Sequence, residues 1–534
     1  MKKKAISLLL ALVMMFSLVA CGGGKDDAPA TDAPGTSEST PGSESTGGAY
    51  AETVRIGYNE DLPSADPFSN TITSTRTLTN STFDCLVVLD IDNGEVLPQL
   101  ATSWEDVNGD GKVWEVKLRD DVTFHNGAKF TAEDVKFTWE YVTDVNNVVN
   151  VLADTGAKAV DNVEVVDEYT VRYNLKNSLP DFPWYLEVKI LSKEAYDTMS
   201  KEEAGVIGTG PYYFNKDETQ TGVKFTATRY DDYYGGIEKY PTKNLEFVVF
   251  GADDTMAAAM QAGEIDVMYT VQPALANTLD ADPNVNLVTR EGAFGYYLGF
   301  NYRQSMFADH GLKEAIAMAI DKEALVAIAY NGGIGGTISN NFCPPSGLGY
   351  DPSVQVVGYD AAAAKQYIED NGYAGMKVRL AYPGLAINKL MCDAIQSSLK
   401  AVGVEVEIVS CDITNWNAFK VGTDYDMFVD ACTYRGALLY AFGRYFPADA
   451  PINTYGYNSA EYQAAQDKVT NQPTYDLMVK EFSNLQKFVA EDLPVVPLCT
   501  SNILAACKPN VEGLAGCLKS TVTTHDFRTL GMVE

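Results

Sequence analysis

The chain has 534 residues, 46% of them apolar, and sets 72 Asp and Glu against 40 Lys and Arg for a formal charge of −32. One hydrophobic core stops growing at roughly 250–300 residues, so a chain of this length is expected to hold more than one domain. So acidic a surface argues against nucleic acid, whose phosphates it would repel, and against peripheral binding to anionic lipid.

The first residues read as an address. Lys2, Lys3 and Lys4 form a positive n-region, and Ile6 to Ala20 is an apolar stretch broken only by Ser7 and Ser17. It falls short of the roughly 20 apolar residues that span a bilayer comfortably. It ends in Leu18-Val19-Ala20-Cys21, which resembles a bacterial lipobox. The resemblance implies that residues 1–20 are a lipoprotein signal peptide and that Cys21 carries a thioether-linked lipid. The alternative is an ordinary secretory signal with a chance cysteine. Without the three signal lysines the charge becomes −35. From Gly22 to Ala49 there is no aromatic or branched aliphatic residue, so 21–50 is predicted to be a disordered Gly/Ser/Thr/Pro-rich tether. Its typical span is roughly 30 Å.

Val54, Ile56 and Tyr58 alternate as a strand should, and so do Trp114, Val116 and Leu118 after the turn Asn108-Gly109-Asp110-Gly111. Phe124-His125-Asn126-Gly127 is a further turn signal. Thr131 with Asp134 resembles a capping box, opening a helix with Val135, Thr138, Trp139 and Val142 inward. Asp253 to Gly263 reads as an Asp cap, an Ala- and Met-rich helix and a terminal Gly, followed by a short strand at Ile265 to Met268. Later, Val378 to Tyr382 reads as a strand and Leu385 to Val402 as a helix with Leu390, Ile395 and Leu399 on one side. Gly403 then caps it before a strand of Val404, Val406 and Ile408, with Glu405 and Glu407 facing away. That is a strand–helix–strand unit. No period of 20–50 residues repeats, so the fold class is mixed α/β and neither a solenoid nor a propeller.

Motifs for catalysis and metal binding fail on inspection. Asp106-x-Asn108-x-Asp110-Gly111 opens like a calcium loop, but the twelfth position is Lys117 where a bidentate Glu belongs. Gly332-Gly333-Ile334-Gly335-Gly336 lacks the spacing of a phosphate cradle and reads as a flexible connection. No Gly-x-Ser-x-Gly elbow is present, and Ser346 in Pro344-Pro345-Ser346-Gly347 has the wrong context. Acidic pairs such as Asp231/Asp232 and Asp253/Asp254 fit a solvated face better than a glycosidase couple. The cysteines other than Cys21 form no CxxC, and His125, His310 and His525 lie far apart, so neither a metal nor a cofactor is expected. Some pairing among Cys499, Cys507 and Cys517 is open; buried free thiols are the main reading.

Pro98 to Glu105, Lys112 to Arg119, Val122-Thr123-Phe124-His125-Asn126-Gly127 and Phe130 to Val135 together resemble the signature region of family 5, the peptide/nickel-type substrate-binding proteins of ABC transporters. The likeness continues through Gly208-Thr209-Gly210-Pro211-Tyr212, Ala262-Gly263-Glu264-Ile265-Asp266, Ala319-Ile320-Asp321-Lys322-Glu323-Ala324 and Leu493-Pro494-Val495-Val496-Pro497-Leu498. It implies a two-lobed periplasmic-binding-protein-like clamp (type II, cluster C-like) with an extra subdomain in the first lobe. Lobe I would comprise 51–92, 192–290 and 495–534, the added subdomain 93–191 and lobe II 291–494, with hinge crossings near 291 and 494. It further implies an extracytoplasmic monomer, anchored to the bacterial cell membrane by its lipid, that captures a peptide or related polar solute without chemical change. It would deliver that solute to the transmembrane subunits of an ABC importer. Other family ligands (an anionic solute, an oligosaccharide, a chelated metal) and a tethered hydrolase are the competing readings.

The resemblance also places candidate ligand residues. Asn59, Tyr269 and Thr270 sit where the first lobe offers cleft residues, and Trp416 where members present an aromatic. Tyr296 and Tyr297 lie beside the first crossing, and alternation turns one of them toward the cleft. In Tyr425 to Arg435, peptide-binding members carry a tryptophan and then an acid that pairs with the ligand's α-amino group. Here Tyr434 or Arg435 takes the acidic position, depending on a one-residue alignment choice. An arginine fork favours a carboxylate or phosphate; Arg435 facing solvent is the alternative, and Asp430 is a possible substitute acid.

Overall fold

The computed structural model describes residues 49–70, 72–90, 95–144, 159–434, 438–519 and 525–534. Cys21, the signal segment, the tether up to residue 48 and Arg435 lie outside them. Ala49 and Tyr50, expected in the disordered tether, instead pair with the C-terminal end, Tyr50 bridging Val533 and Ala49 accepting the Glu534 N–H at 3.0 Å.

The strand Thr53–Tyr58 buries Val54, Ile56 and Tyr58 completely, as its alternation predicts. It pairs in parallel with Asn244–Val249 and with Val267–Met268, and the sheet continues antiparallel through Lys224–Arg229 to Tyr212–Phe214. Helix Asp253–Gln261 covers the face of this sheet opposite Ile56 and Tyr58, with Met256 over Gly57, where a Cβ would meet it at 2.8 Å. Tyr58 packs on the other face with Phe225 and Phe247. Asp253 is not its cap: Ala252 holds that position, and the Asp253 carboxylate accepts a hydrogen bond from Asn59 instead. A carboxylate in the first turn still suits the helix dipole.

A second, antiparallel sheet runs Ala101–Asp106, Val113–Leu118, Thr170–Leu175, Val160–Asp167. Helix Ala132–Thr143, held by the Thr131/Asp134 capping box, packs Val135, Trp139 and Val142 against Trp114, Val116 and Tyr173. The calcium-like loop is the hairpin turn of this sheet. Asp106 accepts the N–H groups of Gly109 and Gly111 at 3.1 and 2.6 Å, and both glycines take φ near +70°.

The strand–helix–strand unit is Lys377–Tyr382, Ala386–Ala401 and Glu405–Ser410, with the two strands parallel. Its helix turns Met391, Ile395 and Leu399 inward, while Leu390 is 39% exposed and does not face the core. Residues four apart share a helix face, whereas a step of five swings about 140° away. Met391 therefore occupies the place expected of Leu390.

One sheet joins these parts. The strands Asn286–Phe300 and Val495–Cys507 pair antiparallel along nearly their whole length, and Met427–Thr433 extends the sheet from the first of them toward Lys377–Tyr382. At one end of the pair, Leu287, Val288, Ala505 and Ala506 pack with the core around Tyr58. At the other, Leu298, Phe300, Val496 and Leu498 pack with the core around Ile395. The two halves share strands but not a core.

The pairing slips between them. Arg290 faces Ile503 and Phe294 faces Ser501, so Glu291, Gly292 and Ala293 stand opposite Asn502 alone, a bulge that bends the strand locally. Asn502 donates its N–H to Gly335 at 2.8 Å and its Nδ2 to Ile334 at 3.2 Å. The glycine-rich segment is thus a packed part of the crossing. A Cβ on Gly335 would meet the Tyr330 ring at 2.8 Å and Pro273 at 3.0 Å, so close approach is what Gly335 permits, while Gly332 and Gly333 take φ near +99°.

Candidate functional site

The predicted residues fall into two groups, one in each half. In the first, Tyr58 at the end of its strand stacks on Tyr269, with ring centroids 3.8 Å apart. Tyr269 donates its hydroxyl to Asn59 Oδ1 at 2.5 Å, and Asn59 Nδ2 donates to Asp253 Oδ1 at 3.0 Å. The Asn59 amide is thereby fixed at both ends, which orients its remaining N–H and lone pair. Burial, reinforced by Glu60 and Asp253, pushes the Tyr269 phenol well up, so it stays a neutral donor and acceptor. Thr270 is half-buried beside it.

In the second half, the pleat separates Tyr296 from Tyr297. Tyr296 turns to the core that holds Cys499 and Tyr330. Tyr297 turns to the opposite core, with Trp416, Phe428 and Tyr434. Its ring meets Phe342, Phe428 and Tyr445 edge-on at 5.8–6.0 Å, and its hydroxyl is buried with no hydrogen-bond partner. Tyr434 donates its N–H to the carbonyl of Ala293 at 2.8 Å. Its ring lies 3.1 Å from where a Cβ on Gly295 would sit, so glycine lets Tyr434 close over the strand. A void of about 10 Å³, room for a single water, remains beside Tyr434, Cys343, Leu438 and Phe442.

Asp430 is already occupied. Trp416 donates its indole N–H to Asp430 Oδ2 at 2.8 Å, and Lys420 pairs with the same oxygen at 2.5 Å. The Lys420 side chain is 0% exposed, with its ammonium 5.2 Å from the Trp416 ring centroid and 5.4 Å from that of Phe428. The acid that could replace the missing one on this strand is thus neutralised within its own half. Lys420 carried no expectation from the sequence, and Asp253 was expected only as a helix cap or a solvated acid, not as a partner of Asn59. A signal for Lys420 existed, since it stands four residues after Trp416, the spacing of one helical turn.

Residues 95–460 match the family described as bacterial extracellular solute-binding proteins, family 5, middle region. The chain belongs to this family. It is 26% identical over 488 residues to di/tripeptide-binding protein 1 of Pseudomonas aeruginosa, covering 84% of this chain and 86% of that one. It is 25% identical over 514 residues to the glutathione-binding protein GsiB of Pectobacterium atrosepticum, covering 91% and 95%. The fold matches the ABC transporter substrate-binding protein CtaP of Listeria monocytogenes with a TM-score of 0.79 at 23% identity, over 91% of this chain and 100% of that one. As a family 5 solute-binding protein it has the two-lobed mixed α/β architecture of its structural neighbours and works outside the cytoplasm.

In this family 5 chain a further contact reaches across the molecule. Trp184, in the short helical turn Phe182–Tyr185, stacks with Tyr475, the first residue of helix Tyr475–Asp492, with ring centroids 6.0 Å apart. Beside it Asp181 is 3% exposed, its Oδ1 has no partner, and burial pushes its carboxyl up to about 7.

Proposed function

We propose that this protein captures a peptide or related small polar solute between its two lobes and hands it unaltered to the transmembrane subunits of an ABC importer. The observation that carries this is the crossing: two separately cored halves joined by a strand pair that slips register between them. Such a connection lets both cores stay intact while a few residues absorb the rotation. Relatives named for di- and tripeptides and for glutathione support a short peptide as the solute.

On this reading lobe I holds Asn59, Tyr269 and Thr270, and the wall of lobe II holds Tyr297, Trp416 and Tyr434, with Tyr296 behind that wall. The first crossing lies at 291–293. The second lies at 500–502, a few residues beyond 494, because Val496, Leu498 and Cys499 pack in lobe II and Ile503 and Leu504 in lobe I. The subdomain is 93–191. The protein acts as a monomer, held at the membrane by a lipid on Cys21.

The deciding experiment is mass spectrometry of what co-purifies with the protein, followed by melting with synthetic di- to pentapeptides. A bound peptide and a stabilisation of about 2.7 kcal/mol at a hundredfold excess over Kd are expected. Product release from intact peptides, or no shift with any of them, defeats the proposal. Cys21→Ser should end incorporation of labelled fatty acid.

A further inference from the structure

Glu291 is the first of the three residues that stand opposite Asn502 alone at the crossing. The backbone around it is held from lobe II: Ser346 donates its hydroxyl to the carbonyl of Gly292 at 2.9 Å, and Tyr434 its N–H to that of Ala293 at 2.8 Å. Three observations put this stretch on one side of the strand. Ala293 packs in the core of Tyr297, Trp416 and Tyr434, the missing Cβ of Gly295 faces the Tyr434 ring, and the Glu291 charge reaches Tyr350, which packs against the same core.

The Glu291 Oε1 atom is shielded from solvent and has no hydrogen-bond partner. Burial alone shifts its carboxyl, upward, with no neighbouring cation pulling it back. A carboxylate oxygen shielded from water without a donor is costly to keep, and its natural complement is a cationic donor. Asp430, on the neighbouring strand, already has Lys420 and Trp416. Among the described residues Glu291 Oε1 has no donor, at the junction where the two lobes meet.

We propose that Glu291 is the specificity-determining carboxylate that receives an ammonium group of the solute. This rests on the reading that the solute lies between the lobes. The ammonium can come from a peptide's α-amino end or from a side-chain amine, and the test separates them.

The probes are trialanine, N-acetyl-trialanine, N-acetyl-Ala-Lys-Ala and the simple diamine cadaverine, titrated calorimetrically into the wild-type protein, E291Q and E291D. E291Q should weaken the probe whose ammonium is recognised by about tenfold or more. It should leave N-acetyl-trialanine unchanged, and E291D should recover part of the loss. Trialanine alone responding assigns the α-amino group; the lysine peptide responding assigns a side-chain amine. Equal affinity of wild type and E291Q for every probe overturns the inference while peptide capture stands, and so does an equal loss for acetylated and free forms, which marks a structural role. Cadaverine binding that needs Glu291, with no peptide bound, keeps this inference and removes the peptide reading. No binding by any probe removes both.

Discussion

The Lys420–Asp430–Trp416 group sets a quantitative test of how the lobe II wall is built. Lys420 is 0% exposed in its side chain and Asp430 16%, and they meet at 2.5 Å with the Trp416 indole on the same carboxylate oxygen. Lys420→Ala leaves Asp430 nearly buried with two neutral donors, the Trp416 indole and the Ala431 N–H, and no cation. Removing one partner of a buried pair costs about 3–5 kcal/mol, mostly the desolvation of the charge left behind. For a lobe of about 200 residues that corresponds to a drop of about 6–20 °C in Tm. Lys420→Met with Asp430→Asn discards both charges in similar volumes and should recover most of the loss. Calorimetric melting of the three proteins decides the matter. If Lys420→Ala melts within 2 °C of wild type, about 1 kcal/mol or less, the pair is solvent-screened and Asp430 is free to bind a solute, contrary to the geometry.

Asp181 predicts a pH effect whose sign is fixed by its raised carboxyl. The folded state holds a proton up to about 7 that the unfolded chain releases near 3.9, so stability from this group is full at low pH and falls between those values. Asp181→Asn should therefore match wild type at pH 4 and melt higher at pH 8, and an equal gap at both would refute it. Tyr297→Phe removes a buried hydroxyl that has no partner, so the free protein should melt unchanged or slightly higher. If that hydroxyl touches the solute, calorimetry should show weaker binding by the same variant. Gly208→Ala would drive a Cβ into the carbonyl oxygen of Thr82, and overpacking against backbone should cost about 1–3 kcal/mol or more, read by urea denaturation.

Local pattern carried much of the fold. Val54, Ile56 and Tyr58, the Thr131/Asp134 box and the turn at Asp106 are each decided within a few residues, so period and turn chemistry suffice. Leu390 shows where that stops: it is apolar, but helical phase, not hydrophobicity, put Met391 in the core instead. The glycines of Gly208-Thr209-Gly210 were legible only as a motif. Their reason is tertiary, since a Cβ on Gly210 would come within 2.6 Å of the Ser81 carbonyl oxygen. The site was half legible for the same cause. Asn59 and Tyr269 were named singly, yet their hydrogen bond spans 210 positions of sequence. Alternation required Tyr296 and Tyr297 to part, but which of them met Trp416 depended on the strands alongside. The family likeness put a crossing near 291, but nothing in the sequence singled out the Glu291 carboxylate, whose place depends on a register slip against a strand some two hundred residues away.

The slip also explains why closing the lobes need not disturb their cores. A regular ladder through 286–300 and 495–507 would transmit any rotation as lost hydrogen bonds on both sides. Three residues opposite one leave the ladder open at the point where the cores change, while Asn502 keeps that point tied to Ile334 and Gly335 through its own hydrogen bonds. Backbone rotation there costs few native contacts, so a solute that prefers the shut form need supply only a modest differential affinity. If Glu291 receives the solute's ammonium as proposed, binding and closure are coupled on the same three residues.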